Sequence, residues 1–124
     1  MENNVNIIDR SYKFAVEIIK LVNLLPKNTS GVVIGNQIMK AGTSIGANVE
    51  EAQGAVSEKD FANKMAISKK EARETRYWLR LIKDSRILNV LQIESLLEEC
   101  DSLVNILTAI VKTSKNNINN DSGC

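Results

Sequence analysis

Between residues 93 and 111 the apolar side chains fall at Ile93, Leu96, Leu97, Cys100, Leu103, Val104, Leu107, Ile110 and Val111, a heptad-like seam that only a helix can present on one side. Such a seam cannot bury itself. It needs neighbours with matching stripes, and the shallow left-handed crossing of a helical bundle is the packing that suits its spacing.

Three further segments supply those stripes. From Ile7 the apolar residues recur as Ile7, Ile8, Phe14, Ala15, Ile18, Ile19, Leu21, Val22 and Leu25, with Arg10, Lys13, Glu17 and Lys20 on the other side. Pro26 has no amide hydrogen and disfavours helix in the residue before it, so the first helix stops near Leu25 and residues 27–30 form a short polar connection. The second helix, about 31–53, carries Ile34, Ile38, Ala41 and Ile45 and ends beside Gly54. The third opens with Ser57 as N-cap and Asp60 three residues on, with Val56 placed to staple onto Phe61, and runs to about Ser85. The fourth repeats the device with Asn89 as N-cap, Gln92 at the third position, and Leu88 placed to pack on Ile93. Short connections favour antiparallel neighbours, so the predicted fold is all-α, an up-down-up-down four-helix bundle over residues 1–115. The polar tail, 116–124, is expected to lack structure.

A length of 124 residues allows one core, and with aromatics at only 4% that core must be aliphatic. Neither a positively charged leader nor an apolar run of the roughly 18 residues that a membrane span needs is visible, which points to a cytoplasmic protein. Cys100 reads as a small core hydrophobe, and Cys124 at the end makes no disulfide framework with it.

Helix two is unusual for its small residues, Gly35, Ala41, Gly42, Ser44, Gly46, Ala47 and Ala52. Each interior glycine costs roughly 1 kcal/mol against alanine, so Gly42 and Gly46 predict a close approach by another helix. Gln37, Ser44, Asn48 and Glu51 fall along one side at spacings of seven, four and three, and polar groups beside glycines suggest a hydrogen-bonded contact between helices or subunits. A plain solvent-facing side is the alternative.

Net charge is only +1, but the charges are segregated. From 69 to 86 there are seven basic residues against three acids, whereas 89–112 holds four acids and one base. Lys69, Arg73, Arg76, Arg80 and Lys83 recur at spacings of four, three, four and three, which sets all five along one side of helix three. Like charges so placed repel by a few tenths of a kcal/mol per pair, so the row should have a compensating anion. Helix four, a neighbouring subunit and a polyanion such as RNA are the three candidates. A solvated face partly paired to Glu94, Glu98, Glu99 or Asp101 stands beside the functional reading. Were nucleic acid to bind, the arginine fork suits phosphate, and Tyr77 could stack on a base, although packing at the bundle edge is the simpler expectation for it. Trp78, beside Leu79 and Leu81, reads as a packing or interface anchor.

No catalytic pattern is present. The chain has no histidine, which removes the usual general base and the usual zinc ligand. A glycine-rich phosphate loop, a nucleophile with its base and a Glu-x-x-His metal motif are all missing, and Glu50-Glu51 lacks partners for a metal. We therefore expect a binding protein without catalytic residues, metal or cofactor.

Leu25-Pro26, Gln37, Lys40-Ala41, Ser44-Ile45, Ala47-Asn48-Val49-Glu50 and Glu71-Ala72-Arg73-Glu74-Thr75-Arg76-Tyr77-Trp78-Leu79 occur in a distinctive order. On these residues the stretch from Phe14 through Leu88 resembles the bacterial four-helix-bundle family encoded within intervening sequences of 23S ribosomal RNA genes. It is similar too to the related accessory variability determinant proteins of diversity-generating retroelements. The family pattern usually has arginine where Lys40 stands and Glu-Gly where Glu50-Glu51 stands. The resemblance implies a ring-like homopentamer with a basic surface, and in the retroelement branch association with RNA and a reverse transcriptase. Together these readings predict a homo-oligomer that binds nucleic acid through Lys69, Arg73, Arg76, Arg80 and Lys83. Gln37, Gly42, Ser44, Gly46, Asn48 and Trp78 are then the candidates for oligomer or helix-packing contacts. The alternative is a protein-only oligomeric scaffold.

Overall fold

The computed structural model describes the backbone of residues 2–89 and 91–122, and the side chains of 7–89 and 91–120. Four helices follow one another, α1 (Glu2–Leu24), α2 (Thr29–Ala52), α3 (Glu58–Ser85) and α4 (Gln92–Ser122), with no strand among the described residues. Each packs on the next and α4 returns to α1, closing a ring around one shared core. Neighbours are antiparallel: along the α2–α3 contact Glu51 meets Lys64 and Ile45 meets Ser68, and along α3–α4 Arg76 meets Asp101 and Lys83 meets Glu94.

The apolar stripes meet at the centre as the periodicity predicts. Ile18, Ile38, Ile45, Met65, Leu79, Leu103 and Leu107 are fully buried, and Cys100 lies among them. Burying each large aliphatic side chain contributes roughly 1.5–3 kcal/mol. The hydroxyls that enter this centre bring their own acceptors. Ser68 donates to the Ile45 carbonyl at 2.8 Å, Thr75 to the Glu71 carbonyl at 2.7 Å, and Ser114 to the Glu58 carboxylate at 2.6 Å.

Helix ends differ from expectation in instructive ways. Ser57 caps α3 as predicted, its hydroxyl accepting from the Asp60 amide at 3.0 Å. The Val56 staple does not form. Val56 is 93% exposed, and its backbone N–H donates instead to Asp60 Oδ2, so a hydrogen bond sets the entry of the chain. α2 begins at Thr29, two residues before the predicted start, because Asn28 supplies a cap by accepting from the Gly31 amide at 2.9 Å. α4 begins at Gln92, so Asn89 is not its cap. Arg86 stops α3 in the left-handed conformation (φ 58°), Ile87 and Leu88 turn toward the core, and the chain needs the residues up to Leu91 before a helix can place Ile93 inside.

At the other end, the structureless tail expected from residue 116 is corrected. α4 continues to Ser122, and Ile118, seven residues beyond Val111, keeps a half-buried position that extends the stripe. Cys124 lies outside the described residues.

The glycines of α2 do what their cost demanded. A Cβ on Gly42 would lie 2.8 Å from Cγ2 of Ile18, and one on Gly46 would lie 3.2 Å from the Ser11 carbonyl oxygen, so α1 approaches α2 almost backbone to backbone. At the connection, a Cβ on Gly31 would fall 1.8 Å from the Pro26 carbonyl oxygen. Gly42→Ala gains about 1 kcal/mol of helix propensity but forces a fully buried Ile18 to shift, an overpacking cost of about 1–3 kcal/mol. Urea unfolding should therefore show Gly42→Ala destabilised despite its better propensity. Gly31→Ala, whose obstacle is backbone, should be the more destabilised of the two.

Candidate nucleic-acid interface

Helix periodicity sets Lys69, Arg73, Arg76, Arg80 and Lys83 on the flank of α3 that turns toward α4, and α4 answers with acids on its facing flank. Arg76 Nε lies 2.7 Å from Asp101 Oδ1, and Lys83 Nζ lies 2.7 Å from Glu94 Oε1. The Lys83 ammonium is held above its ordinary pKa by the hydrogen bond to Glu94 and by that carboxylate's charge. Both pairs are about half exposed, so solvent screens them and they add little stability. Arg73 and Arg80 are exposed and Lys69 is half-buried, and none of these three makes an ion pair among the described residues. Two members of the row are thus anchored to α4 of their own chain, and three are not.

The unanchored arginines border a cleft of about 460 Å³ between α3 and α4, lined by Arg73, Arg76, Tyr77 and Arg80 on one side and by Asp101, Val104 and Asn105 on the other. Tyr77 sits at the bundle edge, 54% exposed with its ring edge-to-face against Trp78 at a centroid distance of 5.0 Å. Trp78 packs against the core as predicted, yet its indole N–H is buried without an acceptor among the described residues. Leaving such a donor unpaired costs about 1–3 kcal/mol.

The α2 candidates are divided by the fold. Gly42 and Gly46 are buried against α1, inside the subunit, and are helix-packing positions. Ser44 and Asn48 are half-buried and turn back on their own helix, Ser44 donating to the Lys40 carbonyl and Asn48 to the Ser44 carbonyl at 2.8 Å. Gln37 is exposed. Glu71, across from this row on α3, has its carboxyl pushed up by burial and by the Glu74 charge, with Lys70 and Lys40 opposing.

One polar contact was not legible in the sequence. Arg10 on α1 grips α4 with a fork, Nε to Glu99 Oε2 at 2.9 Å and Nη2 to Glu99 Oε1 at 2.6 Å, and Nη2 also reaches the Ser102 hydroxyl at 2.8 Å. The Glu99 hydrogen bond holds the guanidinium above its ordinary pKa. Asn105 in the cleft was also missed, although its spacing of four from Asp101 on α4 was the available signal.

Among the described residues, no group of three or more acidic or cysteine side chains is placed to hold a metal ion. No helix among them is long and apolar enough to cross a membrane. Cys100 donates its thiol proton to the Ala72 carbonyl at 3.2 Å, and burial pushes its pKa up to about 12.

The match to the family model described as "23S rRNA-intervening sequence protein" covers residues 3–109. A solved structure from Bacteroides thetaiotaomicron VPI-5482, described as a protein with unknown function from the S23 ribosomal protein family, is 40% identical with a TM-score of 0.81, covering 90% of this chain and 99% of that one. No curated protein matches the chain.

The buried thiol has a consequence for reactivity and for pH. In a Cys124→Ser background, a thiol reagent at pH 8 should fail to label the folded protein and should label it once unfolded. Because the folded pKa is raised, the stability from Cys100 is complete below its ordinary value of 9.0 and is lost as pH climbs toward about 12. Rapid labelling of the native state would show that the α3–α4 contact opens readily.

Proposed function

Because the chain belongs to the family of 23S rRNA-intervening sequence proteins, we propose that it works by binding, as a homo-oligomer that offers the α3 ridge to the phosphates of a nucleic acid. The observation that carries this reading is the incomplete neutralisation of the ridge. Asp101 and Glu94 engage Arg76 and Lys83, while Lys69, Arg73 and Arg80 remain without an ion pair among the described residues. Mutual repulsion along α3 makes such a row a cost in the isolated subunit, and a polyanion relieves it. Arginine fits the role because its planar fork donates two parallel hydrogen bonds to phosphate.

The reading is one of binding, not turnover, and it names no metal or cofactor. We take the assembly to be a ring of five, in line with the resemblance, and in a retroelement setting to be the RNA-binding accessory of a reverse transcriptase. A protein-only scaffold, in which the ridge pairs with α4 of a neighbouring subunit, is less well supported. Its two best-placed acids are already engaged by their own chain's α3.

Fluorescence anisotropy with a labelled RNA across rising salt tests the proposal. Affinity of the wild type should fall linearly with salt on logarithmic axes. Arg73→Glu with Arg80→Glu breaks no ion pair and should keep the melting temperature close to wild type. Its salt slope should be shallower by roughly 1.4–1.8, the share of two phosphate contacts. No affinity in the wild type at low salt, or undiminished affinity in the folded variant, would end this reading. A monomeric mass by light scattering would remove the oligomer from it.

A further inference from the structure

We propose that the cleft between α3 and α4 is built for a single strand, with one base stacked on Tyr77 and the phosphates on either side of it held by Arg73 and Arg80. The proposal rests on the reading above, that the α3 ridge meets nucleic acid, and specifies which form of nucleic acid and how it is held.

Three observations converge on it. Tyr77 stands four residues after Arg73 and three before Arg80, so the aromatic lies between the two ion-pair-free guanidiniums, which are separated along the axis by about 10 Å. The ring is exposed yet oriented, because the edge-to-face contact with Trp78, at 5.0 Å and 78°, occupies at most one of its faces. A ring this exposed can receive a base, and every base has a π-face to offer. Across the cleft on α4, the exposed side chain of Asn105 makes no hydrogen bond among the described residues, and its amide carries both donors and an acceptor for a base edge.

A duplex satisfies only half of this arrangement. It presents phosphates to arginines, but its bases are stacked on each other and offer no free face to Tyr77. Asp101, which also lines the cleft, argues the same way. Its carboxylate neutralises Arg76 and lowers the positive charge of the cleft, so retention there depends on stacking as well as on charge. A partner protein would need a carboxylate pair to match Arg73 and Arg80, and nothing in the cleft selects for one.

The test uses the full chain with labelled oligouridylate, oligothymidylate and a duplex, each of about 12 nucleotides, read by anisotropy at one fixed salt concentration. Tighter binding of either strand than of the duplex supports the proposal, and the ratio between the two strands identifies the preferred sugar. Tyr77→Phe should bind like wild type, whereas Tyr77→Leu, which keeps bulk but loses the π-face, should bind the strands roughly fivefold or more weakly with an unchanged melting temperature. Duplex bound as tightly as single strand, or Tyr77→Leu equal to wild type, overturns the stacking site. Those results leave the charge-reversal outcome untouched, so loss of the stack and loss of the ridge are told apart.

Discussion

Withdrawal of aliphatic surface from water along one stripe of each helix is the constraint from which the rest of this molecule follows. With so few aromatic rings available, the centre is filled by Ile, Leu, Val and Met, and these side chains have no polar atoms to satisfy. Ser68 and Thr75, which enter it, bond to backbone carbonyls, and Ser114 at its end reaches the carboxylate of the exposed Glu58. A dry centre of this kind expels every lysine, arginine, aspartate and glutamate to the flanks. What the flanks then do depends on which neighbouring helix they meet.

On the flank shared by α3 and α4 the two helices carry opposite charge, and their antiparallel register lets Arg76 find Asp101 and Lys83 find Glu94. The pairing is unequal because α4 places its remaining acids elsewhere. Glu99 is taken by Arg10 from α1, and so serves to hold the first helix to the last and not to neutralise α3. The positive character of the ridge is thus partly a by-product of how the ring of helices is closed. Tyr77 belongs to the same outer flank, which is why an aromatic residue of a poorly aromatic chain is left facing solvent.

How much of this could be read in the sequence depended on the range of the interaction. The stripes, the Ser57 cap and the helix-packing role of Gly42 and Gly46 all follow from spacing within one helix, and periodicity records them directly. The acids of helix four were visible as partners for the basic row, but not which acid would meet which cation, since register is a tertiary property. Arg10 and Glu99 stand 89 positions apart, and nothing local to either marks the other. The start of α4 was misplaced because Asn89 and Gln92 carry the local signature of a capping box, while the position of Ile93 in the core decided the matter. Val56 failed for the same reason in reverse: a staple was locally available, and Asp60 offered a hydrogen bond instead. The orientation of Tyr77 lay at the margin of the helical stripe, where a few degrees of phase decide between packing and exposure.

Among the described residues the contact between α1 and α4 is the sparsest of the four around the ring, and its defining link is the Arg10 fork on Glu99 and Ser102. Between α1 and α2 the backbones are in near contact, and α2, α3 and α4 are joined by far more extensive packing. The bundle therefore resembles a folded screen with three stiff joints and one latch. A latch that gives before the joints opens the bundle along the α1–α4 seam, which wets Leu103 and Leu107 while the α3–α4 ion pairs of the ridge stay closed.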